Sequence, residues 1–198
     1  MERRPPPKTR KGLERREQIL DAATRVFATQ GTKSVSLASI ASLVGITEQG
    51  VMHYFPTKVD VLVGVLERRD ERDTQRFTTL FREGLPMLEV LVAVMRGLAE
   101  DDHLATLHTV LMAESIDPDH PAHDWFVQRN KRVRQQLEIG LIAAQRSGEL
   151  RAGLDAHAVA SQLMSLMDGL PAQRALAGGE LDTVAIFEAY VRQLTPAG

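Results

Sequence analysis

The chain has 198 residues, of which 43% are hydrophobic and 25% are charged, and it contains no cysteine. This length can bury one sizeable core, and the lack of cysteine excludes disulfides, zinc–thiolate sites and a cysteine nucleophile. No apolar run approaches the roughly 18 residues of a membrane span, and the proline-rich N-terminus lacks the apolar segment of a secretory signal. We therefore expect a cytoplasmic protein that does not associate with membranes.

The formal net charge of −2 conceals an asymmetry along the chain. Residues 1–58 contain ten Lys and Arg against five Asp and Glu, a net charge of +5, and residues 59–198 contain fourteen against twenty-one, a net charge of −7. A basic end joined to an acidic body indicates that only the first part of the chain meets a polyanion.

The first three predicted elements are helices. Apolar residues recur with helical spacing, strand-like alternation is absent, and glycine and proline fall between the periodic segments. We predict a first helix over residues 14–30, with Gly31 as its stop. Ser36 is then expected to cap a short helix that ends at Gly45, and Thr47 to cap another.

Six longer helices follow. The sequence predicts them at residues 58–83, 86–100, 102–115, 121–147, 155–177 and 182–194. The expected fold class is therefore all-α, with a small three-helix head and a larger helical body. The predicted divisions are a flexible basic arm over 1–13, the head over 14–60 and the body over 61–198.

Residues 37–56 meet the constraints of a helix-turn-helix. Gly45 stands where the turn needs a positive φ, and Ala41 is small where two helices must approach closely. Apolar residues at 40, 44, 46, 51 and 54 would hold the second helix against the first. The alternative is an ordinary helical hairpin, which needs neither so short a second helix nor its outward polar residues.

A longer run carries a family resemblance. ILDAATRVFATQGTKSVSLASIASLVGITEQGVMHYFPTKVDVL, within residues 15–66, resembles the N-terminal domain of the tetracycline-repressor (TetR) family of transcriptional regulators. The rest of the chain is similar only in length, helical content and the DGLPAQ segment at 168–173. The resemblance implies nine helices, a homodimer, a double-stranded DNA operator as partner and a C-terminal domain that binds a small-molecule effector.

Four candidate DNA-binding residues lie at the starts of the two short helices. Thr47 can donate its hydroxyl to a phosphate, as Ser36 can from the preceding helix. Gln49 is suited to a bidentate contact with adenine in the major groove. Gly50 would let the backbone come close to DNA, at a cost of about 1 kcal/mol in helix propensity.

The remaining candidates include a departure from the family pattern. The resemblance implies phosphate contacts for His53, Tyr54 and Lys58, although Tyr54 also fits an apolar wedge. Where many relatives have a tyrosine that touches the DNA backbone, this chain has Met52. Glu48 places an acidic residue against DNA, and it either accepts from a cytosine amino group or only complements the helix dipole.

The predicted N-terminal arm has two open interpretations. It carries Arg3, Arg4, Lys8, Arg10 and Lys11, which could lie in an adjacent minor groove as homeodomain arms do. A solvated, disordered tail is the other interpretation.

The last two predicted helices are expected to form the dimer interface. Residues 155–177 are apolar nearly all round the helix axis, and residues 182–194 add a further apolar stripe. A helix buried on several sides in a chain of this size needs covering by another chain. Pro171 is expected to kink or end the first of the two helices.

The resemblance suggests an effector cavity in the body. Methionine, aromatic and polar residues are the candidates for its lining, although methionine at helical spacing is more often core. Arg129 near Trp125 could bind an anionic or aromatic effector, or its stem could pack on the indole at the surface. The candidates are Met87, Met95, Leu98, Leu107, His108, Met112, Trp125, Phe126, Arg129, Met164, Met167 and Asp168.

The stretch DPDHPAHDW at 117–125 contains residue types that ligate metals. Two prolines mark it as a loop, its aspartates are natural helix caps, and no established ligand spacing is matched. We expect no metal and no cofactor.

These features predict a ligand-responsive transcriptional regulator. The expected protein is a repressor that binds a palindromic operator as a homodimer and is released by a small molecule. The alternatives are a constitutive DNA-binding regulator with a filled body and a helical enzyme. No nucleophile–base arrangement or phosphate-binding glycine loop supports an enzyme.

Overall fold

The computed structural model describes residue 7 and residues 9–196, without the side chains of residues 28–33. Within that part of the chain there are nine α-helices and no strands, which confirms the predicted all-α class. The helices are α1 (Arg10–Ser34), α2 (Leu37–Val44), α3 (Glu48–Tyr54), α4 (Lys58–Arg82), α5 (Met87–Leu98), α6 (Asp102–Glu114), α7 (His123–Arg146), α8 (Ala156–Leu176) and α9 (Thr183–Arg192).

The first helix is longer than predicted at both ends. It begins at Arg10 because the Thr9 hydroxyl accepts the backbone N–H of Gly12 at 3.1 Å, an N-cap that was not predicted from the sequence. At the other end the helix continues through Gly31 to Ser34. Glycine lowers helix propensity without preventing a helical conformation, so the predicted stop was wrong.

The predicted arm must be shortened accordingly. Arg10 and Lys11 belong to the first turn of α1, and the exposed Arg10 side chain lies 3.5 Å from the carboxylate of Glu14. Arg3, Arg4 and Lys8 lie outside the described residues.

The longer helices begin and end within a few residues of their predicted limits. Pro171 does not end α8, which continues to Leu176. Helix α4 runs without a break across the predicted division at residue 60, so head and body share one rigid element. None of the described helices is both long and apolar enough to cross a bilayer.

One hydrophobic core lies beneath the helix-turn-helix segment, and we call it the head core. It joins α1, α2, α3 and the first turns of α4 to the inner side of α6 and the start of α7. Its buried members include Ile19, Leu20, Ala23, Ile40, Val51, Phe55, Val61, Leu66, Leu104, Leu107, Leu111, Ala122 and Phe126.

A second core, the body core, lies among α5, α7, α8 and α9. Its most deeply buried members include Met87, Leu91, Met95, Leu141, Ala160, Leu163 and Phe187. Gly140 allows α7 and α5 to approach, because a Cβ there would lie 2.7 Å from the terminal methyl of Met87. The two cores leave a cavity between them.

An ion-pair cluster ties α1 to α4. Arg68 donates to the carboxylate of Asp21 at 2.6 Å and to the hydroxyl of Thr24 at 3.0 Å, and Glu17 lies 3.4 Å away. Beneath this cluster, Gly64 permits close packing, since a Cβ there would lie 2.8 Å from the ring of Phe55. These contacts connect the three-helix head to the first half of α4.

Candidate nucleic-acid interface and effector cavity

The turn between α2 and α3 has the local geometry that the sequence predicted. Ser36 caps α2 by accepting the N–H of Ser39 at 3.1 Å, and the Ser39 hydroxyl accepts the N–H of Ser36 in return. Gly45 ends α2 in the left-handed region with a φ of 69°. A side chain is strained in this conformation, so glycine is required for the turn.

The third helix begins with the predicted threonine cap. The Thr47 hydroxyl accepts the backbone N–H of Gly50 at 3.0 Å. The hydroxyl keeps its own hydrogen for donation, so the cap and a phosphate contact are compatible. A Cβ added to Gly50 would meet only ordinary contacts, the nearest being the Thr47 hydroxyl at 3.4 Å. The fold of the free chain does not require glycine at position 50.

Helix α3 has a buried side and an exposed side. Val51 is fully buried and Phe55, just beyond the helix, is nearly so, and both pack into the head core. The exposed side carries Glu48, Gln49 and His53. Three of the predicted DNA-binding residues thus share one solvent-facing surface, and their DNA contacts stay predictions.

The exit from α3 contains two further candidates. Tyr54 is half-buried, packs against the head core and meets the ring of His53 edge-on at 5.3 Å. Lys58 is half-buried at the first position of α4. The Thr57–Asp60 capping box, with the Thr57 N–H donating to Asp60 at 2.9 Å, orients the first turn of α4 beside this surface.

A cavity of about 100 Å³ lies between the two cores, bounded by α4, α5, α6, α7 and α8. Its wall is mainly apolar with a cluster of charged groups. The lining consists of Leu66, Arg69, Asp70, Asp73, Thr74, Phe77, Leu91, Val94, Leu98, Ala105, His108, Arg129, Val133, Gln136, Leu137, Met164, Met167, Asp168 and Pro171.

Half of the predicted lining residues reach this cavity. Those that line it are Leu98, His108, Arg129, Met164, Met167 and Asp168. The other six do not: Met87 and Met95 are buried in the body core, and Leu107, Met112, Trp125 and Phe126 pack in or against the head core. The α6–α7 corner folds onto the head, and this non-local packing decides which helix faces remain open to the cavity.

The pairing of Arg129 with Trp125 does not occur. Arg129 instead donates its Nε to Asp70 at 2.9 Å, while the indole of Trp125 packs edge-on against Phe126 with 4.7 Å between ring centroids. Asp70 also accepts from Arg132 in a short contact. The stem of Arg129 therefore does not pack on the indole, and its guanidinium forms an ion pair between α7 and α4. Arg129 also lines the cavity, so its contact with an effector stays a prediction.

The contribution of α4 to the cavity was not predicted from the sequence. Arg69 donates to the carbonyl of Leu98 at 2.7 Å and lies 3.8 Å from Asp73. Burial lowers the pKa of Arg69 and raises the pKa of Asp73, and the attraction between the two groups opposes both shifts. Residues 67–73 are all charged, so no local pattern in the sequence marks Arg69 and Asp70 as the buried members of this run.

His108 and Asp168 form the least satisfied polar pair of the cavity. His108 Nδ1 lies 3.9 Å from an oxygen of Asp168, beyond hydrogen-bonding distance, and the buried Nε2 of His108 has no partner among the described residues. Burial lowers the pKa of His108 well below its usual value, with further lowering from Arg129 and Arg69. Burial raises the pKa of Asp168, and Arg129 partly opposes this.

The histidines of the 117–125 loop have structural partners. His120 Nδ1 lies 3.0 Å from the Ser115 hydroxyl and accepts the N–H of Ala122 at 3.2 Å, while His123 Nδ1 lies 2.9 Å from the carbonyl of Ser115. These contacts close the α6–α7 corner. The described residues contain no group of three or more His, Asp or Glu that could hold a metal ion.

Comparisons with known proteins agree with both halves of this architecture. Residues 19–65 match the model for bacterial regulatory proteins of the tetR family, and residues 119–196 match the model for the C-terminal part of BetI-type transcriptional repressors. A helix-turn-helix head on a helical body thus defines a DNA-binding transcriptional regulator, not an enzyme.

The chain belongs to the TetR family. It is 31% identical over 180 residues to the HTH-type transcriptional regulator BetI of Burkholderia ambifaria, and the match covers 88% of this chain and 89% of that protein.

Two solved structures show the same fold. A transcriptional regulator from Saccharomonospora viridis, in complex with choline, matches with a TM-score of 0.74 and 24% identity, covering 91% of this chain and 94% of its own. FadR from Bacillus subtilis, in complex with stearoyl-CoA, matches with a TM-score of 0.73 and 23% identity, covering 90% of this chain and 97% of its own.

Proposed function

We propose that this protein is a ligand-responsive repressor. It binds a palindromic operator as a homodimer, and a small molecule held in the cavity releases it. The observation that carries the proposal is the two-sided packing of α6, which has one side in the cavity and the other in the head core.

The connection through α6 is direct. Ala105 and His108 line the cavity, while Leu104, Leu107 and Leu111 on the same helix are buried in the head core. A ligand that displaces α6 must also change its packing against α1, because closely packed cores transmit such shifts instead of absorbing them. DNA binding and ligand binding then oppose each other by linkage.

The exposed side of α3 supports the DNA-binding part. In the proposed complex, Gln49 contacts a base edge, and the hydroxyls of Ser36 and Thr47 contact phosphates. In a dimer, two copies of α3 would enter successive major grooves, about 34–36 Å apart or slightly more.

The outer faces of α8 and α9 support dimerisation. One side of α8 carries small residues at helical spacing, and all of them are at least partly exposed: Ala158, Ser161, Ser165, Gly169 and Ala172. A Cβ at Gly169 would meet no atom within 4 Å, so this face is open in the single chain. On α9, Ala185, Ile186 and Ala189 are exposed together. Small residues permit close approach of helices from a second copy, which favours the predicted four-helix interface.

The relatives support a small-molecule effector without identifying it. Regulators with this fold bind choline in one case and stearoyl-CoA in the other, two chemically different ligands. The similarity of the C-terminal part to BetI-type repressors favours repression. The class of ligand must therefore be argued from the cavity of this chain.

The proposal is tested by measuring operator binding. We would select an operator from random DNA, confirm its palindrome, and screen a chemically mixed library for release of the labelled operator. Met164→Trp, which fills the cavity, should retain operator binding and lose the response. Ile116→Trp, at a residue that is 77% exposed, is the control and should keep both.

A constitutive regulator is the second candidate. The cavity volume of about 100 Å³ favours it, since most ligand sites enclose about 300–1,000 Å³. Operator binding that no library member changes would establish this candidate and overturn the proposed effector response.

A further inference from the structure

The charged groups that line the cavity are not balanced. Three carboxylates, those of Asp70, Asp73 and Asp168, face two guanidinium groups, those of Arg69 and Arg129. Arg129 pairs with Asp70, and Arg69 lies 3.8 Å from Asp73. Within the lining, each guanidinium already has a carboxylate partner, and one carboxylate remains.

Asp168 is the remaining carboxylate. Its side chain is 21% exposed, and within the described residues the basic group that contacts it is His108, at 3.9 Å. Arg129 attracts the carboxylate of Asp168 without forming an ion-pair contact with it. Burial, followed by the charges of Arg129 and Arg69, lowers the pKa of His108, which disfavours a charged imidazole as the counter-ion of Asp168. Arg132, the other arginine that contacts Asp70, does so from the outer side and does not line the cavity.

The walls near this carboxylate suit an apolar ligand. Met164 and Met167 lie on the same helix as Asp168 and line the same cavity, and the ring of Phe77 lines it from α4. An aromatic ring attracts an organic cation placed over its face, and methionine adapts to irregular ligand shapes. At about 100 Å³ the cavity is smaller than the apolar cavity of about 150 Å³ that holds benzene, so a ligand of one ring would extend through its open side.

We propose that the cavity binds a small organic cation with an apolar body, whose charged group pairs with Asp168. This assignment rests on the proposed effector role of the cavity. A ligand cation supplies the counter-ion that the protein lacks and removes the cost of a buried, unpaired carboxylate. An anion would instead face three carboxylates and compete for guanidinium groups that are already paired.

A panel of three matched probes tests the assignment. Benzylamine, benzyl alcohol and benzoate share one ring and similar size, and near neutral pH they are a cation, a neutral molecule and an anion. Isothermal titration of the full chain should show benzylamine binding about tenfold or more tightly than either of the other two, as expected for an added charge-assisted contact.

Two substitutions test whether the preference for benzylamine depends on the charge of Asp168. Asp168→Asn should abolish the preference for benzylamine over benzyl alcohol, and Asp168→Glu should retain it. Binding of benzyl alcohol to Asp168→Asn shows that the cavity is intact. Glu114→Gln removes the same charge from an exposed residue at the end of α6 and should leave all three affinities unchanged.

The outcomes of these titrations separate the cation assignment from the proposed function. Tighter binding of benzyl alcohol or benzoate than of benzylamine overturns the cation assignment, and so does a failure of benzylamine to bind. A preference for benzylamine that survives Asp168→Asn also overturns it. The proposed effector role fails by a different result, an operator complex that no compound of a mixed library releases.

Discussion

His108 on α6 and Asp168 on α8 face each other with 3.9 Å between Nδ1 and Oδ1, too far apart for a hydrogen bond. Burial shifts the pKa of each group toward its neutral form, lowering that of His108 and raising that of Asp168. Helices α6 and α8 of the cavity wall therefore meet through two polar groups that do not hydrogen-bond to each other in the free protein. Sites built for a ligand commonly carry such a cost.

Asp168→Asn should stabilise the free protein at neutral pH. Because the pKa of Asp168 is raised in the folded state, its protonated carboxyl stabilises the fold at low pH. This stabilisation is lost as the pH rises through the folded-state pKa. The amide carries no charge, so we expect a gain on the order of 1 kcal/mol in the free energy of unfolding. Urea unfolding measures it, and the gain should shrink in acid. Glu114→Gln serves as the control, and an equal gain there would contradict the explanation.

His108 should make the fold less stable in mild acid. Because the pKa of His108 is lowered in the folded state, its neutral imidazole contributes fully to the stability of the fold above the usual histidine pKa of 6.5. This contribution is lost as the pH falls below that value. The groups that face it are Asp168 on α8, Arg129 on α7 and Arg69 on α4.

The test compares the wild-type chain with His108→Gln in urea unfolding from neutral pH to about pH 5. For each pH unit of acidification, the free energy of unfolding should fall by up to about 1.4 kcal/mol more in the wild type than in the variant. Identical pH dependence of the two proteins would show that His108 titrates normally.

Gly50 and Gly64 should respond in opposite ways to alanine. Gly50→Ala places a Cβ in ordinary contact and should raise the free energy of unfolding by up to about 1 kcal/mol, while operator affinity falls. Gly64→Ala places a Cβ 2.8 Å from the ring of Phe55 and should destabilise the fold by about 1–3 kcal/mol. Thermal unfolding and operator titration measure both. Unchanged operator affinity in Gly50→Ala would show that DNA does not approach this backbone.

Gln49→Ala should weaken and broaden operator recognition. Loss of a bidentate base contact costs about 1–3 kcal/mol of discrimination, and the loss should concentrate at one position of each half-site. Titration against a set of single-base operator variants measures this. Gln135→Ala, at an exposed residue of α7, is the control. A uniform loss across all variants would assign Gln49 to a phosphate contact instead.

Ala189→Glu should dissociate the dimer. The residue is exposed on α9, and a charged side chain there would be buried without a partner in the proposed four-helix interface. Sedimentation should show a monomer at micromolar concentration, with operator affinity lost in parallel. Ala143→Glu, exposed on α7, should remain dimeric. A stable monomer in the wild type would overturn the interface.

The local features of the head were predictable from the sequence because they depend on neighbours within four residues. The Ser36 and Thr47 caps and the left-handed Gly45 are local hydrogen bonds or backbone preferences, and the structure has all three. The start of α1 was missed although its Thr9 cap is equally local, because charge and proline in the preceding segment suggested an arm.

The residues that line the cavity could not be predicted fully from local sequence patterns, because the lining depends on packing between distant segments. Arg129 pairs with Asp70, which is 59 residues away in the sequence, and Trp125 packs against the head core at the α6–α7 corner. Local patterns in the sequence were enough to predict the helices, the caps of α2 and α3 and the resemblance to a family that binds DNA. The lining of the cavity and the unpaired carboxylate became known from the folded structure alone, because burial and charge pairing depend on residues that are distant along the chain.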